Sequence, residues 1–123
     1  MKPSRSCAIA VLAVLLAACA SAGDVRMKGA AFEGSSAKSA KVVAGCIADR
    51  WEGAGHRPEI SARPTASGYS LMAASDLGVY GKDTSFVIDV TDTSQGSTTK
   101  FYSNIALTSG TNLVAGIARD CQK

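Results

Sequence analysis

The sequence predicts an α+β domain: an antiparallel sheet of three to five strands, with an N-terminal and a C-terminal helix packed on one face. Three observations carry this. Ala40, Val43, Ala44, Ile47 and Trp51 recur at steps of three and four, and Leu113, Val114, Ile117 and Cys121 do the same near the C-terminus. Between these helical stretches the pattern changes to strict alternation, clearest where Phe86, Ile88 and Val90 interleave with Val87, Asp89 and Thr91. Ser94-Gln95-Gly96-Ser97 then separates that strand from Thr98–Ser103, rich in Thr, Phe and Tyr, as a turn separates the arms of a hairpin.

The chain begins with a different kind of element. Lys2 and Arg5 precede an apolar run from Ala8 to Ala18, about 11 residues and too short to span a bilayer as a helix. The run has no polar face, which argues against a core helix. It ends in Leu16-Ala17-Ala18-Cys19, which resembles a bacterial lipobox, with an ordinary secretory cleavage at Ala18 or Ala20 as the competing reading. The resemblance implies that residues 1–18 are a lipoprotein signal peptide and that Cys19 carries a diacylglycerol on its sulfur. Two or three acyl chains anchor stably where one does not. Ala20, standing where an aspartate would favour inner-membrane retention, implies the outer membrane, facing the periplasm.

Removal of residues 1–18 takes away Lys2, Arg5 and Cys7. The remaining chain has 11 basic and 10 acidic side chains, a balance without the footprint of a nucleic-acid binder. It is one small domain's worth of chain, marginal unless stapled. With Cys19 lipidated, Cys46 and Cys121 are left, and an oxidising envelope compartment favours a disulfide between them. Cys46 borders the apolar stripe of the first helix and Cys121 ends that of the last, so the bridge would stitch the two helices together.

In order after the anchor, residues 19–35 are Ala-, Ser- and Gly-rich and predict a lipidated cysteine followed by a flexible tether spanning about 20–25 Å. Phe32 is its only aromatic residue, either docked on the domain or exposed. The folded domain is expected over residues 36–123. Ser36–Glu52 is the first helix, capped by Ser35 or Ser36 and ended by Gly53 and Gly55. Trp51 lies on its apolar stripe and reads as a core anchor. Glu59–Ala62 is an edge strand, confined by Pro58 and Pro64. Tyr69–Ala74 follows a turn, with Tyr69, Leu71 and Ala73 on one face and Ser70, Met72 and Ala74 on the other. Residues 76–81 read as a tight turn with a short strand at Val79-Tyr80. The hairpin of Ser85–Asp92 and Thr98–Ser103 forms the sheet centre, and the strand Ser85–Asp92 has a mostly wet outer face. The final helix runs over Thr111–Cys121, capped by Thr108, Ser109 or Thr111 and weakened by Gly116.

The residues offer little for catalysis. His56, the sole histidine, sits between Gly55 and Arg57 without acidic or cysteine company and reads as a loop residue. No serine-nucleophile elbow, phosphate loop or metal-ligand spacing appears, and Asp92-Thr-Ser-Gln-Gly lacks the acids of a calcium loop. Asp76, Asp83, Asp89 and Asp92 could supply paired carboxylates, but the last three lie in or beside the central hairpin, where solvated charge is ordinary. No enzyme, cofactor or metal is expected.

The mature chain also resembles small, functionally uncharacterised lipoproteins of proteobacteria, with one cysteine in an early helix and another near the C-terminus. The anchor, the tether, the stapled small fold and the absence of catalytic groups together point to an envelope accessory or protein-interaction role, anchored to the membrane and paired with an envelope protein. Ser67-Gly68-Tyr69 and Tyr80-Gly81-Lys82 resemble fragments of envelope lysozyme inhibitors. They imply the alternative of a periplasmic binding or inhibitor protein, with Tyr69, Tyr80 and Lys82 touching the partner.

Overall fold

The computed structural model describes residues 20–55, 59–76, 79, 82–104 and 109–123. Its elements in order are α1 (Ala22–Met27), β1 (Phe32–Ser36), α2 (Ala40–Gly53), β2 (Ile60–Thr65), β3 (Gly68–Asp76), β4 (Lys82–Thr93), β5 (Gly96–Ser103) and α3 (Ser109–Gln122). The five strands form one antiparallel sheet in the order β1-β5-β4-β3-β2. Thus β2 to β5 form a meander, and β1 returns to the far side of β5.

The alternation in β3 and β4 sorts side chains to two faces. Leu71 and Ala73 of β3, Phe86, Ile88 and Val90 of β4, and Phe101 of β5 point to the front. There they meet Ala40, Val43, Ala44, Ile47 and Trp51 of α2 and Val114, Ala115 and Ala118 of α3 in one buried cluster. Trp51 packs edge-on to Phe86 at 5.2 Å between ring centroids, and Phe86 is 5.9 Å from Phe101. The two helices touch each other as well as the sheet. They are joined by the Cys46–Cys121 disulfide, whose Cα atoms lie 5.7 Å apart. Closing a loop of 75 residues stabilises the fold by about 4 kcal/mol through loop-closure entropy.

The segment expected to be a tether is folded. Residues 20–36 form α1 and the edge strand β1, whose Phe32 pairs with Phe101 and whose Ser36 pairs with Ser97. Phe32 docks on the domain, half-buried against the front core, with the Arg119 guanidinium 4.8 Å from its ring centroid. Because β1 claims Ser36, α2 starts later than expected and its cap is Ser39, which accepts from the Val42 N–H, rather than Ser35 or Ser36. Ser36 instead donates to the Gln122 carbonyl and accepts from the Lys38 N–H. Asp92 supplies a second cap from the end of β4, accepting from the Ala40 N–H at 2.8 Å. That places a carboxylate at the start of a helix with no acid in its own first turn.

The β1–α2 connection crosses tightly over the start of β5. A Cβ on Gly96 would lie 2.0 Å from the Ser36 carbonyl oxygen, and Ser97 ties the crossing down by donating to the Lys38 carbonyl. Three boundaries also move. The edge strand β2 continues through Pro64, tolerated because an outer strand can do without one N–H, and its turn to β3 is Ala66-Ser67. The helix α3 begins at Ser109, so Ser109 and Thr111 lie inside it, while Thr108 is outside the described residues. β3 reaches Asp76 and β4 starts at Lys82, with Tyr80 between them outside the described residues.

Candidate functional site

The most developed polar constellation sits on the back of the sheet, where α1 lies across β4 and β5. Six residues make a poor helix by themselves, so its ends are held. Ser21 is the N-cap: its side chain accepts from the Asp24 N–H, and the Asp24 carboxylate accepts in turn from the Ser21 N–H at 3.0 Å. Hydrogen bonds donated to the Asp24 carboxylate by the Ser21 backbone N–H and, at 2.8 Å, by its hydroxyl hold that carboxyl below the ordinary range, helped by the charge of Lys28. The apolar contribution of α1 is one side chain, Val25, fully buried yet separate from the front core. Val87, on the back of β4, is fully buried as well. The outer face of the hairpin, expected to be mostly wet, is therefore partly dry, because α1 covers it.

Arg26 follows Val25 and points to the sheet. Its Nε and one terminal nitrogen donate to both Asp89 carboxylate oxygens at 2.7 Å, a bidentate fork, and the same nitrogen donates to the Ser70 hydroxyl at 2.9 Å. Both partners are about a quarter to a third exposed. Burial alone would raise the Asp89 pKa. The hydrogen bonds from Arg26 and Ser70 and the charges of Arg26 and Lys100 outweigh it and hold the carboxyl below its ordinary value. The Arg26 guanidinium is correspondingly raised.

The second feature lies where Ala20 meets the sheet. Ala20 is clamped by the start of β4. Its N–H donates to the Asp83 carboxylate at 3.1 Å, and its carbonyl accepts from the Thr84 N–H at 2.9 Å. A register shift falls here, between Ala73 and Ala74 of the partner strand, so β4 bends where it takes up the incoming segment. Asn104 lies alongside, donating its N–H to the Ser85 carbonyl and accepting through its side chain from Lys28.

Of the three residues expected to touch a partner, Tyr69 is half-buried against the front core, and Lys82 pairs by its backbone with Asp76. Tyr69 and Asp76 stand at opposite ends of β3, roughly 20 Å apart at the rise of a strand, so Tyr69 and Lys82 are not brought together. Tyr80 lies outside the described residues, as do Cys19 and His56. Among the carboxylates, Asp83 holds Ala20, Asp89 holds Arg26 and Asp92 caps α2. Among the described residues no cluster of His, Cys, Asp or Glu is arranged for a metal ion. An open depression of about 520 Å³ lies at the opposite end of the sheet from Ala20, lined by Ser35, Ser36, Thr93, Ser94, Gln95 and Thr98 among others, without a charged side chain.

Sequence reasoning missed Arg26 and Thr84, and it weighed Asp83 only as a possible member of a carboxylate pair, not as the partner of Ala20. The Ser21-x-x-Asp24 spacing was the one local signal for α1, a variant of the capping box with aspartate in place of glutamate. No helix among the described residues is long and apolar enough to cross a membrane. No protein-family model, curated protein or solved structure matches the chain.

Proposed function

We propose that the chain is a lipid-anchored accessory protein of a bacterial cell envelope, held at the outer membrane through Cys19 and acting by binding another envelope protein. The observation that carries the reading is the Leu16-Ala17-Ala18-Cys19 lipobox, whose cysteine is joined directly to Ala20, a residue held by β4. The work done by Asp83, Asp89 and Asp92 supports binding over catalysis, because each carboxylate is engaged in holding an element in place. The surface offered to a partner is the outer strand β2, where Ser61, Arg63 and Thr65 are exposed on the side away from α2 and α3.

Three experiments test this. Metabolic labelling with palmitate should mark the chain and leave Cys19→Ser unmarked; equal labelling of the two, or of neither, removes the anchor. Cross-linking of the native lipoprotein in intact cells, followed by mass spectrometry, should capture one reproducible envelope protein. Full function from a soluble form lacking Cys19 would overturn the requirement for anchoring.

A further inference from the structure

We propose that the domain rests directly on the lipid headgroups, with the β3–β4 end of its sheet facing the bilayer, rather than standing off on a tether. This inference rests on the lipid-anchored reading of Cys19 and adds an orientation and a contact surface to it.

Covalent geometry sets the scale. The Cα of Cys19 is one peptide unit, about 3.8 Å, from that of Ala20. Both backbone polar groups of Ala20 are bound by β4, through Asp83 and Thr84, and Ser21 is fixed in turn by the capping box of α1. No slack is left between the acylated residue and the centre strand of the sheet. A diacylglycerol thioether places its glycerol at the boundary between hydrocarbon and headgroups, and each headgroup layer is about 5–8 Å thick. Ala20, Asp83 and Thr84 are therefore drawn to the headgroup level.

The chemistry around the junction suits that position. Val79, in the connection between β3 and β4, is 95% exposed, and Met27, at the far end of the short helix α1, is 87% exposed. These are the two most exposed large apolar side chains among the described residues. Lys28 follows Met27 and reaches Asn104 beside the junction, bringing an exposed positive charge to a surface of phosphates. The other end of the sheet is unlike this one. Its hairpin turns are Ala66-Ser67 and Ser94-Gln95, and the depression beside the second is lined by hydroxyls and an amide. The length of β4 puts Gln95 about 30 Å from Asp83, beyond the headgroup layer.

The test uses the full-length lipoprotein in its own membranes. A benzophenone amino acid replaces Val79 in one variant and Gln95 in another, with palmitate labelling of each chain measured in the same samples. Illumination is expected to give lipid adducts at position 79 and none at position 95. Adducts to protein alone at 79, or equal lipid adducts at both positions, on a chain whose Cys19 is acylated, would overturn the proposal and leave the anchor standing. A chain without palmitate would remove the anchor and the orientation together. A third variant keeps the probe at position 79 and inserts a Gly/Ser segment of about ten residues between Cys19 and Ala20, which spans about 18 Å. With the fold unchanged by thermal melt, the lipid adduct at 79 should be lost. Its persistence at full yield would show that the junction does not set the orientation.

Discussion

The two faces of the sheet are built by different means. On the front, two helices of 14 residues each lay continuous apolar stripes on Leu71, Phe86, Ile88 and Phe101 and are locked by Cys46–Cys121. On the back, a six-residue helix holds on with one buried valine, one forked ion pair and a capping box. Front-face order is a bulk property, spread over many apolar contacts, so no one of them decides it. Back-face order rests on a few directional contacts, each of which can be removed singly. A cell could alter the second without unfolding the first.

The largest effect should come from breaking the front. Replacing both Cys46 and Cys121 by Ala should cost about 4 kcal/mol in urea unfolding, with both faces lost in one transition. If the loss is under about 1 kcal/mol, packing alone holds the front layer. Next is Val25→Ala, which should cost about 2 kcal/mol and selectively raise amide hydrogen exchange in residues 21–28. Equal deprotection of α2 would show that the faces are not separable.

A smaller, pH-dependent effect follows from Asp89. Its pKa is depressed in the folded state, so its contribution is present above the ordinary aspartate value of about 3.9 and disappears as the pH falls through the lower folded value. Wild type should therefore lose more stability than Asp89→Asn as acid is added below about pH 4. Parallel curves for the two proteins would mean that the fork adds nothing in solution. The smallest effect sharpens the front in the other direction. A Cβ on Gly116 meets nothing within 4 Å, so Gly116→Ala should stabilise α3 by up to about 1 kcal/mol, read as a higher midpoint of thermal unfolding.

The contrast also explains what the sequence could reveal. Periodicity reports burial of long elements, and α2, α3, β3 and β4 are long and half-buried, so their faces are legible from Val43, Ile47, Leu71, Ile88 and Val114 alone. The helix α1 has one inward apolar residue, Val25, and hence no hydrophobic period. The β1 stretch Phe-Glu-Gly-Ser-Ser has the composition of coil, and it is a strand because β5 offers it an edge. The same holds at the candidate junction. The expectation for Cys19 rests on its four-residue setting alone, whereas Asp83 and Thr84 meet Ala20 only after folding brings together residues more than 60 apart. Asp92 illustrates the point again: it belongs by sequence to a hairpin and by function to the cap of a helix 52 residues earlier.

The strand order has a consequence in time. Chains emerge amino end first, and β2 to β5 can pair successively as neighbouring hairpins, each needing only the strand just made. The edge strand β1 has no partner until β5 arrives, and Ala20 has no clamp until β4 exists. The disulfide must wait longer still, for the last helix. Residues 20–36 are therefore among the last of the described residues to find their places. During that interval they carry an unpaired strand and an uncovered valine.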